Sequence, residues 1–465
     1  MEHGHAVSRR SALKLGLGAA GATLLPGVAG CATAAMPGGA ASSGASGSSA
    51  TGVASQGGEP AVPGSVHDAE QAAQVALAMA RLAASAQTFA VGGAIIENSS
   101  GRVIHALQNR VLQDLGTGLG PLSDTPYTQD PTAHGERQLV YWYFANRESG
   151  LLPPPQELTV VTSLDPCAMC AGSLTSAGFH TAVVALDDFA GVNFNGKTDF
   201  AGYPTGVGDA LRGTFGYYGV DGGRAFAGAP NTLFASTAVT ATTAAACGDV
   251  FGSTADGVRA ASSGSGLDPA NPDNNMSDPA NSSIRGPYSL SFPDAFTIRL
   301  ADYRRPDAVL RDYLTGLVER TPGARNAVAL IDFYGNLLMA SADRFDINPI
   351  ATAFMTTTQE YARLRFALVD DPVTSAVAQR TLTSPAHGTF VLLHALDGVS
   401  TLGLKDLGAY GSSMEGKIPV TQPSNFQYFE GPLQGTVADL TALIAAMPPF
   451  YTKLVGIDPQ QVVLD

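Results

Sequence analysis

Asp130-Pro131-Thr132-Ala133-His134-Gly135-Glu136 and Asp165-Pro166-Cys167-Ala168-Met169-Cys170 are the two stretches on which the reading of this chain turns. One His and two Cys make the three protein ligands that a catalytic zinc takes, leaving a fourth position for water. A Cys-x-x-Cys opening a helix aims both sulfurs at one metal, and the helix N-terminus favours their thiolate form. His134 stands two residues before Glu136 on the first turn of another helix. The carboxylate is thereby set beside the metal without ligating it. Zinc supplies Lewis-acid activation of water, and Glu136 moves the proton. A lone Cys-x-x-Cys also fits a redox pair or half a structural zinc site, with Cys247 or His180 as a further ligand. The joint spacing of both stretches favours the open, catalytic metal site.

Outward from these motifs, periodicity predicts a helix over 66–85, with apolar residues at Ala72, Val75, Ala76, Met79 and Leu82. Phe89 to Ile96 is a buried strand, Asn98 to Gly101 a turn and Val103 to Ala106 the return strand of a hairpin. His134 to Ala145 is a helix, Leu158 to Thr162 a strand, Cys167 to Ala177 a helix and Thr181 to Leu186 a strand. This order predicts an α/β fold with helices on a mixed sheet. Trp142 and its aromatic neighbours fit a core, and His105, His180, His387 and His394 fit structural or surface roles. Cys247 fits a small buried residue.

The chain has 465 residues, 45% of them hydrophobic, enough for more than one core. Its net charge is −14, and its only lysines are Lys14, Lys197, Lys405, Lys417 and Lys453. Nucleic-acid binding needs a cationic face, so no nucleic-acid partner is expected. Ser8-Arg9-Arg10-Ser11-Ala12-Leu13-Lys14 followed by apolar Leu15 to Val28 is a secretory signal of twin-arginine (Tat) type. Val28-Ala29-Gly30-Cys31 resembles a bacterial lipobox, with Cys31 as the lipidated residue; the alternative is an ordinary cleaved signal with an incidental Cys. Residues 32–65 are a Gly/Ala/Ser tether that cannot bury enough surface to fold. Beyond it we expect a zinc domain at 66–200, a Gly-rich extension and linker at 201–285 and a second α/β domain at 286–465.

Asp-Pro-Thr-Ala-His-x-Glu, Pro-Cys-x-Met-Cys-Ala-Gly and Asn109-Arg110 resemble the bacterial tRNA adenosine deaminase and guanine deaminase branch of the cytidine deaminase-like superfamily. The resemblance covers Ala69 to Asp188. It implies a three-layer α/β/α fold and zinc held by His134, Cys167 and Cys170. It further implies Glu136 as catalytic proton shuttle, Asn109 hydrogen-bonding the substrate, and the Ala133 backbone lining the pocket. The implied partner is a small nucleobase or nucleoside, deaminated hydrolytically with release of ammonia; the alternative is a non-catalytic zinc lipoprotein. The two-residue Cys spacing argues against the riboflavin-pathway deaminases. Gly135, Asp165 and the long loop 111–129 depart from the family pattern.

The final domain is expected to be a degenerate second copy, so that a pseudo-dimer forms within the chain or a homodimer between chains. Ala327 to Asp332, Tyr334-Gly335-Asn336 and Leu337 to Ala340 repeat the earlier hairpin. Glu360 is expected at the place of Glu136 and Thr358 at that of His134, and no cysteine follows Asp397. The alternative is an unrelated α/β domain. For the N-terminus we expect Arg9→Lys with Arg10→Lys to abolish export. Cys31→Ser should release the protein from membranes, as checked by fractionation.

Overall fold

The computed structural model describes residues 62–116, 126–193, 198–219, 233–235, 238–260, 271–382, 388–412, 426–455 and 457–464. The signal with Cys31, most of the tether, part of the loop 111–129 and His387 lie outside the described residues. Helix α1 (Ala69–Ser85) starts at Asp68, whose carboxylate accepts from the Gln71 N–H and so caps the helix. It buries the stripe Ala72, Val75, Ala76 and Met79. Strands β1 (Gly92–Glu97) and β2 (Val103–Gln108) form the hairpin. Short strands β3 (Leu112–Gln113) and β4 (Tyr127–Thr128) pair within the loop that follows. Then come α2 (Gly135–Asn146), β5 (Leu158–Leu164), α3 (Ala168–Ala177) and β6 (His180–Ala185).

The first sheet does not end there. Residues 201–285, read from composition as extension and linker, contain α4 (Thr205–Thr214), β7 (Phe215–Tyr217) and α5 (Ala241–Ala260). β7 adds a fifth strand, parallel to β6, and the order is β2-β1-β5-β6-β7. The β2–β1 and β1–β5 pairs are antiparallel and β5–β6 is parallel, so the sheet is mixed. Side chains alternate across it, as the strand period of two requires. Ala94, Ile96, Val161 and Val184 join α1 and Cys247 of α5. Ile95, Val160 and Val183 join Leu139 of α2, Leu174 of α3 and Val207 of α4. This is the expected three-layer α/β/α fold, with each fully buried Leu, Ile or Val contributing about 1.5–3 kcal/mol.

The remaining elements are α6 (Ser282–Ser291), α7 (Ala308–Arg320), β8 (Ala327–Ile331), β9 (Leu337–Ala342), α8 (Ala353–Asp370) and α9 (Ser375–Thr381). They are followed by β10 (Thr389–His394), α10 (Thr401–Lys405), α11 (Ala409–Ser412), β11 (Phe426–Glu430), α12 (Val437–Ala445) and β12 (Gln460–Gln461). The second sheet runs β9-β8-β10-β11-β12. Its pairs are antiparallel, antiparallel, parallel and parallel, as in the first sheet. The details repeat too. Register slips fall between Ile95 and Ile96 and between Leu330 and Ile331. Both hairpins turn on a left-handed glycine, Gly101 at φ +71° and Gly335 at φ +80°.

The register of the helix that follows differs from the sequence expectation. α8 is capped by Thr352, whose side chain accepts from the Met355 N–H, so its start lies six residues before Thr358, the position expected to match His134. Buried Thr357 and Thr358 break the apolar period that would have marked its first turns. Leu139 of α2 packs at Gly93 of β1, and Thr357 donates to the Val328 carbonyl of β8. By that match Thr352 and Phe354 occupy the places of His134 and Glu136. Glu360 lies further along and accepts from Ser341 of β9, whereas Glu136 accepts from Thr162 of the central strand β5.

The two halves belong to one compact unit, residues 58–465. Met169 and Cys170 of α3 sit in one core with Tyr361 of α8 and Tyr410 of α11. Leu404 and Leu407 reach back into the core of the first half. At Gly172 the halves pack so tightly that a Cβ would lie 2.0 Å from the Leu404 carbonyl oxygen. We expect Gly172→Ala to push α3 from α10 at a cost of about 1–3 kcal/mol, more than the ~1 kcal/mol returned by helix propensity. A lowered Tm would register it.

Candidate metal centre and active site

α2 and α3 begin at the same point in space, and the residue before each is a motif residue. His134 is the N-cap of α2 and Cys167 that of α3, yet neither side chain caps its helix. A Ser, Thr, Asp or Asn there would contribute about 0.5–2 kcal/mol. Both side chains turn instead toward Cys170, and the ligand atoms of His134, Cys167 and Cys170 lie within 4.8 Å of one another. His134 Nδ1 is 3.5 Å from Cys167 Sγ. A tetrahedral zinc with its usual bond lengths separates N and S by about 3.6 Å. The donor set and its spacing therefore fit zinc. Among the described residues neither Cys247 nor His180 joins the group; Cys247 is buried between α1 and α5.

Glu136 is buried, with Oε2 3.6 Å from Cys170 Sγ and Oε1 accepting from Thr162 at 3.2 Å. Burial and then the neighbouring Cys167 sulfur raise its carboxyl above the ordinary range. Burial also pushes the Cys170 thiol well up. Burial alone would lower His134, but the Cys167 sulfur and Glu136 outweigh it and the net shift is upward. A buried thiol in such surroundings gives up its proton to a strong Lewis acid, so metal and protons compete for this site.

Asn109 directly follows β2, buried, its Oδ1 accepting from Thr88 Oγ1 at 2.7 Å and from the Val111 N–H at 2.9 Å. Ala133 is buried and its carbonyl accepts from Arg110 N and Gln138 Nε2. It lines a cavity of ≈ 450 Å³ together with His105, Arg110, Trp142, Gln359 and Arg363. Trp142 packs against the core of the first half, as expected, and also faces this cavity with His105. They are partly buried and stack at 4.1 Å between centroids on the cavity wall. In the second half a separate cavity lined by Asp343, Thr352, Asp397 and Lys405 measures ≈ 30 Å³, room for about one water.

Sequence reasoning noted Asp165 only as a departure from pattern. It is fully buried and accepts from Asn193 N at 2.8 Å and Tyr217 OH at 3.0 Å, tying the Pro166-Cys167 turn to β7. Asn193 and Tyr217 carried no motif that would single them out. Gln359 and Arg363 were missed because more than two hundred residues separate them from the cavity's other wall.

Zinc retention against a chelator should fall as pH falls. The raised His134 and Cys170 groups hold their protons to higher pH, so apparent affinity climbs with pH as they are released. His134→Ala should lose the metal at every pH, as metal analysis would register.

Residues 66–186 match the family model described as the cytidine and deoxycytidylate deaminase zinc-binding region. No curated protein matches the chain. Among solved structures, a tRNA:A34 deaminase that edits A to I at the wobble position is 25% identical over 26% of this chain and 73% of its own, with TM-score 0.20. A guanine deaminase from Nitrosomonas europaea is 17% identical over 40% of this chain and 87% of its own, with TM-score 0.26. A protein solved with 2,6-diaminopurine is 19% identical over 39% and 81%, with TM-score 0.24. The family match encloses His134, Glu136, Cys167 and Cys170, so residues 66–186 are similar to the cytidine and deoxycytidylate deaminase zinc-binding region and bring together a His/Cys/Cys group that could hold zinc.

Proposed function

We propose that this chain is a zinc-dependent hydrolytic deaminase of a small amino-purine or amino-pyrimidine base or nucleoside. It acts outside the cytoplasm as a lipoprotein anchored through Cys31. The observation that carries the reading is Glu136: a buried carboxylate beside the His134, Cys167 and Cys170 group and outside that ligand set. A structural zinc site has no use for such a group. Bound there, zinc supplies Lewis-acid activation of water near neutral pH.

Glu136 takes a proton from the attacking water and delivers it to the ring nitrogen. As the bond between ring carbon and amine breaks, the hydroxyl gained by that carbon gives up its proton through Glu136 to the amine, leaving a carbonyl and ammonia. Burial raises its carboxyl above the ordinary range, the direction that favours holding a proton between the two transfers. Asn109, held by Thr88 and Val111, orients the ring, and the Ala133 backbone lines its pocket. Ala133, the residue before His134, also lines the ≈ 450 Å³ cavity, which is of a size that takes small molecules but whose lining does not include Glu136, Asn109 or the ligand residues.

Ammonia release across a panel of bases and nucleosides tests the proposal. Glu136→Gln should keep zinc and lose about 10²-fold or more in kcat. A zinc-loaded wild type that releases no ammonia from any member of the panel would favour a binding or scaffolding lipoprotein.

A further inference from the structure

We propose that Arg363 and Gln359 of the second half position the metal-binding histidine of the first, by clamping the segment that ends in His134. The clamp closes on Asp130. Its side chain is fully buried, and its Oδ1 accepts from the Thr132 N–H at 2.8 Å and the Thr132 hydroxyl at 2.7 Å. Its Oδ2 faces α8, where Arg363 Nε donates at 3.0 Å, Arg363 NH2 at 2.9 Å and Gln359 Nε2 at 3.0 Å. A buried carboxylate needs a charge partner and hydrogen bonds to remain ionised. Among the described residues, the cation that bonds it comes from the other half of the chain.

Three residues separate Asp130 from His134, and they leave little slack. The Ala133 N–H donates to the Asp130 carbonyl, and the Ala133 carbonyl receives Arg110 N and Gln138 Nε2. A displacement at Asp130 therefore reaches His134 and the cavity wall together. α8 supports the same segment further back, with Arg365 over the Tyr127 ring at 5.4 Å and Phe366 against it at 6.4 Å. Asp370 accepts from Gly116 N at 2.6 Å. α8 has 18 residues and its counterpart α2 only 12; Arg365, Phe366 and Asp370 fall in the added length. Among the described residues the second half brings together no metal-ligating group of its own, and it serves the metal site of the first.

The inference rests on zinc at His134, and its test uses the full chain with two readouts. Arg363 is half exposed, so Arg363→Met leaves both cores intact. In that variant amide exchange over residues 130–137 should rise about tenfold, with both sheets unchanged. Zinc competed against a chelator should be bound about 10- to 100-fold more weakly, the usual cost of losing a group that orients a ligand. Arg363→Lys should restore most of both, and Gln359→Leu should have a smaller effect. Unchanged exchange over 130–137, or a rise spread evenly through both halves, would overturn the clamp. Wild type that binds no zinc would end the metal reading instead, and the exchange result would still decide whether the segment is held by α8.

Discussion

Two helices that start at one point impose the constraint on which the rest of this molecule depends. α2 and α3 bring their N-termini together at the ends of the central strands, and His134 and Cys167 stand at the two N-caps without capping. A metal held there replaces lost caps with ligand bonds and places cationic charge beside two thiolates. The second half provides the control within the same chain. Its helices α8 and α10 begin at Thr352 and Ser400, and both side chains accept backbone N–H groups. Where metal ligands are absent, ordinary capping has returned.

The halves differ in what fills the space beneath those helix ends. In the first, Glu136 leans on Thr162 and Cys170, and polar groups dominate. In the second, Phe354 takes the corresponding place and packs against Phe390, Phe426 and Tyr410. An aromatic cluster of this kind stabilises a core and leaves no room for a reacting molecule. One half fills this place with an aromatic cluster, and the other holds Glu136 beside the His134, Cys167 and Cys170 group. The shared interface also carries charge: buried Asp406 beyond α10 is raised to about 7 by burial, and Arg137, next to Glu136, is among the groups that pull it back.

How much of this was legible in the residues depends on the range of the interaction. His134, Glu136, Cys167 and Cys170 lie in short motifs whose spacing states a ligand geometry, and the structure brings them together. The hairpins were legible because Gly101 and Gly335 sit between alternating apolar runs. β7 was not, because three residues in a Gly-rich stretch carry no period and pair only after β6 is in place. The start of α8 was displaced because buried threonines read as polar.

By itself, then, the sequence determined the chemistry of the ligand set, the two hairpin-and-helix patterns and the acidic, lysine-poor surface. Local spacing and composition carry such information without reference to the rest of the chain. Only tertiary structure decided that Phe354 replaces Glu136 in the copy, and that Asp165 is anchored by β7. The same holds for the meeting of Arg363 with Asp130. Each depends on strand order and helix packing between residues far apart in the chain, where no local pattern encodes the encounter.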